Sequence, residues 1–235
     1  MDSLRTDRDL LAARIDAVQE RVHAAAAQSG RSADEITLVA VSKTFPRELV
    51  DAAYALGLSV FGENRVQEAA AKFHEPIPSD LRLHLIGQLQ TNKAKGAVAL
   101  FDRIESVDRP SLVAALEKEA AKADTLVPVL LQVNIGREPQ KAGSDPDAAL
   151  DLLDQLRAAE HLRVDGLMAI IPIVSGPDDA RAWFRAVREL RDDLSRQQPD
   201  IDLSMLSMGM SGDFEAAIAE GATHVRIGSA IFGAR

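Results

Sequence analysis

Lys43 stands where a charged side chain is unusual and chemically useful. It ends Ile36-Thr-Leu-Val-Ala-Val-Ser-Lys43, a short run in which Ile36, Leu38, Val39, Ala40 and Val41 are apolar, and Phe45-Pro46 then turns the chain away. A run this short and rich in β-branched residues reads as a buried strand of a parallel sheet. Desolvation lowers the pKa of a lysine, and a neutral amine condenses with an aldehyde to a Schiff base. A lysine that merely tops a strand in solvent is the commoner case. What else reaches the same place therefore decides the matter.

Two glycine-rich stretches offer a second chemistry. Ser207-Met-Gly-Met-Ser-Gly-Asp213 leads into a short helix, and Arg226-Ile-Gly-Ser-Ala-Ile-Phe-Gly233 follows the last apolar segment. Glycines let backbone N–H groups approach an anion closely. Taken singly, each stretch reads as a tight turn. Taken together, they read as a phosphate site. Arg226 interrupts an apolar run and requires a partner, because an unpaired buried charge is costly. Glu63 is the ordinary candidate, a ligand ring nitrogen the chemical one. His84, between Leu83 and Leu85, reads as a packed, hydrogen-bonded histidine rather than a metal ligand, and His23, His74, His161 and His224 are scattered. Lys93 and Lys95 read as a solvated helix face.

The segments that must position these residues alternate in type. A leading helix spans about 4–28, with Leu11, Ile15, Val18 and Val22 at helical spacing and Gly30 closing it. Strands are expected at 36–43, 58–64, 82–87, 103–107, 127–135, 163–170, 203–208 and 224–227. Helices fall between them near 47–56, 66–73, 91–100, from Pro110, 145–159, 178–194 and 213–220. Asp213 is expected to cap the last of these.

Strands alternating with helices imply right-handed crossovers and a parallel sheet, and eight such units fit a closed (β/α)8 TIM barrel. An open doubly wound sheet is second choice, since no Gly-x-Gly-x-x-Gly turn follows the first strand. Residues 1–235 read as a single domain. The eighth strand has little chain left for an outer helix, so the leading helix is expected to cover the barrel there. The loop 136–145 reads as a mobile βα loop. In a barrel, chemistry sits at the carboxyl ends of the strands. Lys43, Glu63-Asn64-Arg65, His84 with Gly87-Gln88, Asn134, Met168, Ser207 to Ser211 and Arg226 to Ser229 are the polar and flanking residues expected there.

Composition excludes several functions. The formal net charge of −9 argues against a broad nucleic-acid surface. With no cysteine, thiolate chemistry, disulfides and cysteine metal sites are ruled out. No apolar run approaches a membrane span, and the charged N-terminus lacks a signal-peptide segment. A cytoplasmic protein is expected. A monomer is expected too, because a closed barrel requires no partner.

Val39-Ala-Val-Ser-Lys43, Phe61-Gly-Glu-Asn-Arg65 with Gln67-Glu68, and His84-Leu-Ile-Gly-Gln-Leu-Gln-Thr-Asn-Lys93 form a linked set of motifs. Gly166-Leu-Met-Ala-Ile170, Leu206-Ser-Met-Gly-Met-Ser211 and Val225-Arg-Ile-Gly-Ser-Ala-Ile-Phe-Gly233 complete it. Together they resemble the pyridoxal-phosphate homeostasis proteins, the YggS/PROSC family, over nearly the whole chain. That family is similar to the N-terminal barrel of alanine racemase, a fold type III pyridoxal-phosphate barrel.

The resemblance implies that Lys43 carries pyridoxal 5′-phosphate as a Schiff base. It implies that Ser211, Gly228 and Ser229 hold the phosphate, that Arg226 faces the pyridine nitrogen, and that Asn64 lies near the ring substituents. His84 and Met208, within the matching motifs, complete the expected cofactor-binding set. Residue 229 is often threonine in such proteins, and serine keeps the hydroxyl. Ile171-Pro-Ile-Val-Ser-Gly176 departs from the usual Pro-Ala-Pro-like run at the mouth of the site.

The implied role is vitamin B6 homeostasis, with pyridoxal-phosphate-dependent apoenzymes as recipients. An always-charged arginine at the ring nitrogen weakens the electron sink, so robust turnover is not expected. The only tyrosine, Tyr54, lies after the first strand, and no second base is expected across the ring. A weak amino-acid racemase or lyase, and a phosphate-binding barrel without an aldehyde, are the alternatives.

Overall fold

The computed structural model of the chain describes residues 2–233, with side chains from Arg8 onward. Eight strands pair in parallel and in chain order, and the eighth closes on the first. They are β1 (Thr37–Val41), β2 (Val60–Glu63), β3 (Arg82–Leu85), β4 (Arg103–Val107), β5 (Val127–Val133), β6 (Leu162–Ala169), β7 (Met205–Met210) and β8 (His224–Ile227). Around them run α1 (Asp2–Gln28), α2 (Arg47–Tyr54), α3 (Val66–Lys72), α4 (Ala94–Leu100), α5 (Pro110–Ala123), α6 (Ala149–Ala158), α7 (Pro177–Gln197), α8 (Phe214–Ala219) and α9 (Ser229–Phe232). This is the expected (β/α)8 barrel.

The strand sequences explain the layering. Alternate residues of a strand face opposite sides. Leu83 and Leu85, Val129 and Leu131, Leu206 and Met208, and Val225 and Ile227 join the helices in one continuous apolar core. The intervening His84, Glu105, Ser207 and Arg226 are buried as well. They contact one another across the barrel, so they line its inside. Leu11, Ile15, Val18 and Val22 of α1 are buried, and α1 packs against α8 and α9. The leading helix thus covers the eighth unit, as expected. On α7, Val187 and Leu194 are buried, whereas Trp183 and Leu190 are only partly so. Phe184 fills that interface instead.

Several strands are shorter than expected, β1 stopping at Val41 rather than Lys43, β2 at Glu63, β3 at Leu85 and β5 at Val133, and three further details differ. β7 starts and ends two residues later than expected. It runs through Gly209 at φ +92°, and its pairing with β8 is irregular between Ser207 and Met210. Part of the predicted glycine turn is therefore strand. Asp213 does not cap α8 with its side chain. Its Oδ1 instead accepts the Met210 N–H at 2.5 Å. The 136–145 loop is cross-braced. Arg137 pairs with Asp145 and Asp147, Asn134 Nδ2 donates to Glu138 O, and Lys141 Nζ donates to Ile171 O at 2.9 Å.

Candidate functional site

Ser42, one residue past β1, is fixed on three sides. Its N–H donates to Gly62 O at 3.1 Å, and its hydroxyl donates to Glu63 Oε1 at 2.7 Å. Its carbonyl accepts Lys72 Nζ at 2.8 Å and the Phe45 N–H at 3.0 Å. The last bond closes a tight turn in which Thr44 takes φ +67°, a conformation a β-branched residue rarely adopts. Such strain persists where the surroundings impose it, and it clusters at functional positions. This turn carries Lys43.

Lys43 lines a cavity of about 720 Å³ at the carboxyl ends of the strands. Asn64, Ser211, Arg226, Gly228 and Ser229 line the same cavity. Gly87 holds Asn64 in place by close backbone approach, since a Cβ there would lie 2.2 Å from Asn64 O. The Ser211 hydroxyl accepts the N–H groups of Gly228 at 3.3 Å and Ala230 at 3.4 Å. That bonding joins the β7 and β8 loops into one rim.

His84 and Met208 are not among the lining residues. Met208 shares the outward face of β7 with Leu206 and sits fully buried in the helix-side core. Met210, beyond the irregular Gly209, lines the cavity instead. His84 lies inside the barrel, its Nδ1 2.7 Å from Glu105 Oε1. It is the packed, hydrogen-bonded histidine read from its neighbours. His224 is not scattered but stacks on it with ring centroids 6.2 Å apart. Among the described residues no cluster of three metal-ligating side chains occurs.

The partner of Arg226 also differs from the ordinary expectation. Glu63 pairs with Lys72, Oε1 to Nζ at 2.5 Å. Arg226 Nη1 donates to Ser207 Oγ at 2.7 Å and Nη2 to Ala169 O at 2.8 Å. Ser207 in turn donates to Glu105 Oε2 at 2.5 Å. Burial alone would raise the Glu105 pKa. The hydrogen bond and charge of His84, the charge of Arg226 and the Ser207 hydroxyl outweigh it and hold the carboxyl at about 2. Burial lowers the Arg226 pKa, and the charges of Glu105 and Asp213 oppose that fall.

Sequence reasoning missed Lys141 and Gln132, which line the cavity from the β5 side. Each lies beside residues that were noticed, but the alternation of β5 turns Gln132 inward and only the folded 136–145 loop brings in Lys141. The lining includes the cationic residues Lys43, Lys141 and Arg226 and, among the described residues, no carboxylate. On a chain of net charge −9 this is a locally anion-selective place.

Comparison with known proteins decides the family. The alanine racemase N-terminal domain profile matches residues 13–235. The chain is 43% identical over 222 residues to the pyridoxal phosphate homeostasis protein of Aquifex aeolicus (strain VF5), covering 94% of this chain and 97% of that one. The chain belongs to the pyridoxal phosphate homeostasis family. The Escherichia coli (strain K12) member is 41% identical over 229 residues, covering 93% of this chain and 94% of that one. Among solved structures, PipY of Synechococcus elongatus PCC7942, a structure with PLP bound, superposes with TM-score 0.84 at 38% identity, covering 95% of this chain and all 100% of that one. Alanine racemase of Clostridium difficile 630 superposes with TM-score 0.73 at 12% identity, covering 97% of this chain and 57% of that one. That likeness shows the shared barrel alone. Family membership fits the donor set of the cavity: an amine, a guanidinium, and a rim of hydroxyl and backbone N–H groups.

Proposed function

We propose that this chain binds pyridoxal 5′-phosphate in the barrel cavity, as a Schiff base on Lys43, and serves in vitamin B6 homeostasis as a carrier. Linkage to Lys43 Nζ forms one C=N bond and releases one water. The observation that carries this reading is the meeting of Lys43, Arg226 and the Ser211–Ser229 rim around one cavity that, among the described residues, has no carboxylate in its lining.

When bound, the cofactor supplies an electrophilic carbon and an electron-withdrawing ring. The chain's residues do the rest. Ser211, Gly228 and Ser229 offer hydroxyl and N–H groups to the phosphate. Arg226 keeps further N–H donors beyond those spent on Ser207 and Ala169, and these serve the ring nitrogen. Asn64 flanks the ring. His84 acts from behind the lining through Glu105, while Met208 only packs the helix-side core of β7.

A carrier rather than an efficient enzyme fits the remaining side chains. An arginine does not give up its proton, so the ring nitrogen facing it stays unprotonated and the ring is a poor electron sink. Tyr54 donates to Asp80 Oδ1 at 2.5 Å on the outside of the barrel. Lys141 Nζ donates to Ile171 O and pairs ionically with the Glu138 carboxylate, so it is already engaged at the rim. The carrier works as a cytoplasmic monomer that supplies dependent apoenzymes. Among the described residues, no helix is long and apolar enough to cross a membrane.

The test is the near-visible absorbance of protein saturated with pyridoxal phosphate, followed by borohydride. A band that reduction fixes on Lys43, and that Lys43→Ala abolishes, is expected. A reducible adduct that survives Lys43→Ala overturns the assignment. Efficient racemisation or cleavage of D- or L-amino acids overturns the carrier reading and leaves the binding intact.

A further inference from the structure

Behind the cavity wall runs a buried polar chain with a fixed direction. Glu105 on β4 and Ser207 on β7 are three strands apart, yet their side chains meet at 2.5 Å, which is possible only through the barrel interior. The two Glu105 oxygens are divided, Oε1 to His84 Nδ1 and Oε2 to Ser207. A serine hydroxyl has one proton, and an ionised carboxylate can only accept. The Ser207 proton therefore goes to Glu105, and the Oγ lone pairs are left to accept Arg226 Nη1. Removing the carboxylate charge frees the hydroxyl to turn its proton against a guanidinium that has only donors. The negative charge of Glu105 also balances the buried cation of Arg226.

Resting on the cofactor-binding reading above, we propose that Glu105 and Ser207 are positioning residues. They hold the Arg226 guanidinium at the angle from which it donates to the ring nitrogen of pyridoxal phosphate. Ala169 O fixes the other arm of the same fork. A buried arginine with fewer anchors would swing on its flexible stem, and a planar donor loses its bond with a small change of angle.

The test compares the absorbance of pyridoxal-phosphate-loaded wild type with Glu105→Gln, Ser207→Ala and Arg226→Gln, while thermal unfolding of the unloaded proteins follows the fold separately. Glu105→Gln and Ser207→Ala are expected to move the cofactor band in the same direction as Arg226→Gln. Adding Ser207→Ala to Arg226→Gln is expected to move it no further, because a residue that acts through Arg226 has nothing left to position. Unmoved bands in the single variants, or additive shifts in the double variant, overturn the proposal. If Glu105→Gln does not fold, Ser207→Ala and the double variant decide the matter alone. A wild-type protein without a reducible adduct on Lys43 sinks the cofactor reading instead, so the two failures are distinct.

Discussion

Glu63 and Glu105 are both completely buried carboxylates in neighbouring parts of one barrel, and they do different work. Glu63 sits at the rim, between the Ser42 hydroxyl and Lys72. Its cluster holds backbone: the Ser42 carbonyl just before Lys43 is bonded to the same ammonium. Glu105 sits inside, between His84 and Ser207. Its cluster holds a side chain, Arg226. The rim fixes where the strand ends, and the interior fixes where a donor points. A buried carboxylate therefore does not reveal its role by burial, and its partners do.

Four experiments break or sharpen that contrast. The largest effect is expected from Glu63→Ala, which strands the Lys72 ammonium, only 9% exposed, without its counter-charge. A loss of about 3 kcal/mol in urea unfolding is expected. The isosteric pair sharpens the point: both variants are expected to lose stability, but Glu63→Gln is expected to leave the bound-cofactor spectrum in place and Glu105→Gln to move it. Equal spectral shifts in the two variants would erase the distinction.

A smaller effect, about 2 kcal/mol, is expected for Gly87→Ala, because the added methyl would press on the Asn64 carbonyl. Weakened cofactor binding should accompany it, measured by titration. Full affinity together with full stability would show that the rim backbone yields freely.

The last effect concerns pH and belongs to the interior alone. Burial first, with the charges of His84, Arg103 and Arg226, lowers His224 from 6.5 to about 4 against the pull of Glu105. The unfolded chain thus binds more protons than the folded one between those values. The contribution of His224 is present above pH 6.5 and is lost as pH falls through about 4. That of Glu105 is present above 4.5 and is lost as pH falls towards about 2. Melting temperature should therefore decline in two overlapping stages on acidification. His224→Gln should flatten the upper one, and an unchanged profile would refute the assignment.

Much of the architecture was legible because each unit carries its own local signal. β4 and β8 have the boundaries read from sequence, since a charged or polar residue and a turn flank each short apolar run. β7 was displaced because Gly209 and the flanking methionines suit a turn as well as a bulged strand, and only pairing with β8 decides between them. In the site, Lys43, Asn64, Ser211, Arg226, Gly228 and Ser229 were legible, as polar or glycine residues where apolar runs stop. Met208 was misplaced relative to the lining because the alternation of β7 turns it outward. Glu105 drew no notice within Arg103-Ile-Glu-Ser-Val107 because a single acid in a short strand looks ordinary.

The order of elements, their type, the amine at the end of β1 and the arginine in β8 belong to the sequence by itself. They follow from patterns a few residues long, where hydrophobic period and strand ends speak directly. The tertiary structure alone decided that Lys72 and not Arg226 takes Glu63, that Glu105 reaches Ser207 from across the barrel, and that Lys141 faces the cavity. Glu105 and Ser207 lie 102 residues apart and meet only when the barrel closes, whereas Glu63 and Lys72 are nine residues apart and meet because α3 folds back against the end of β2.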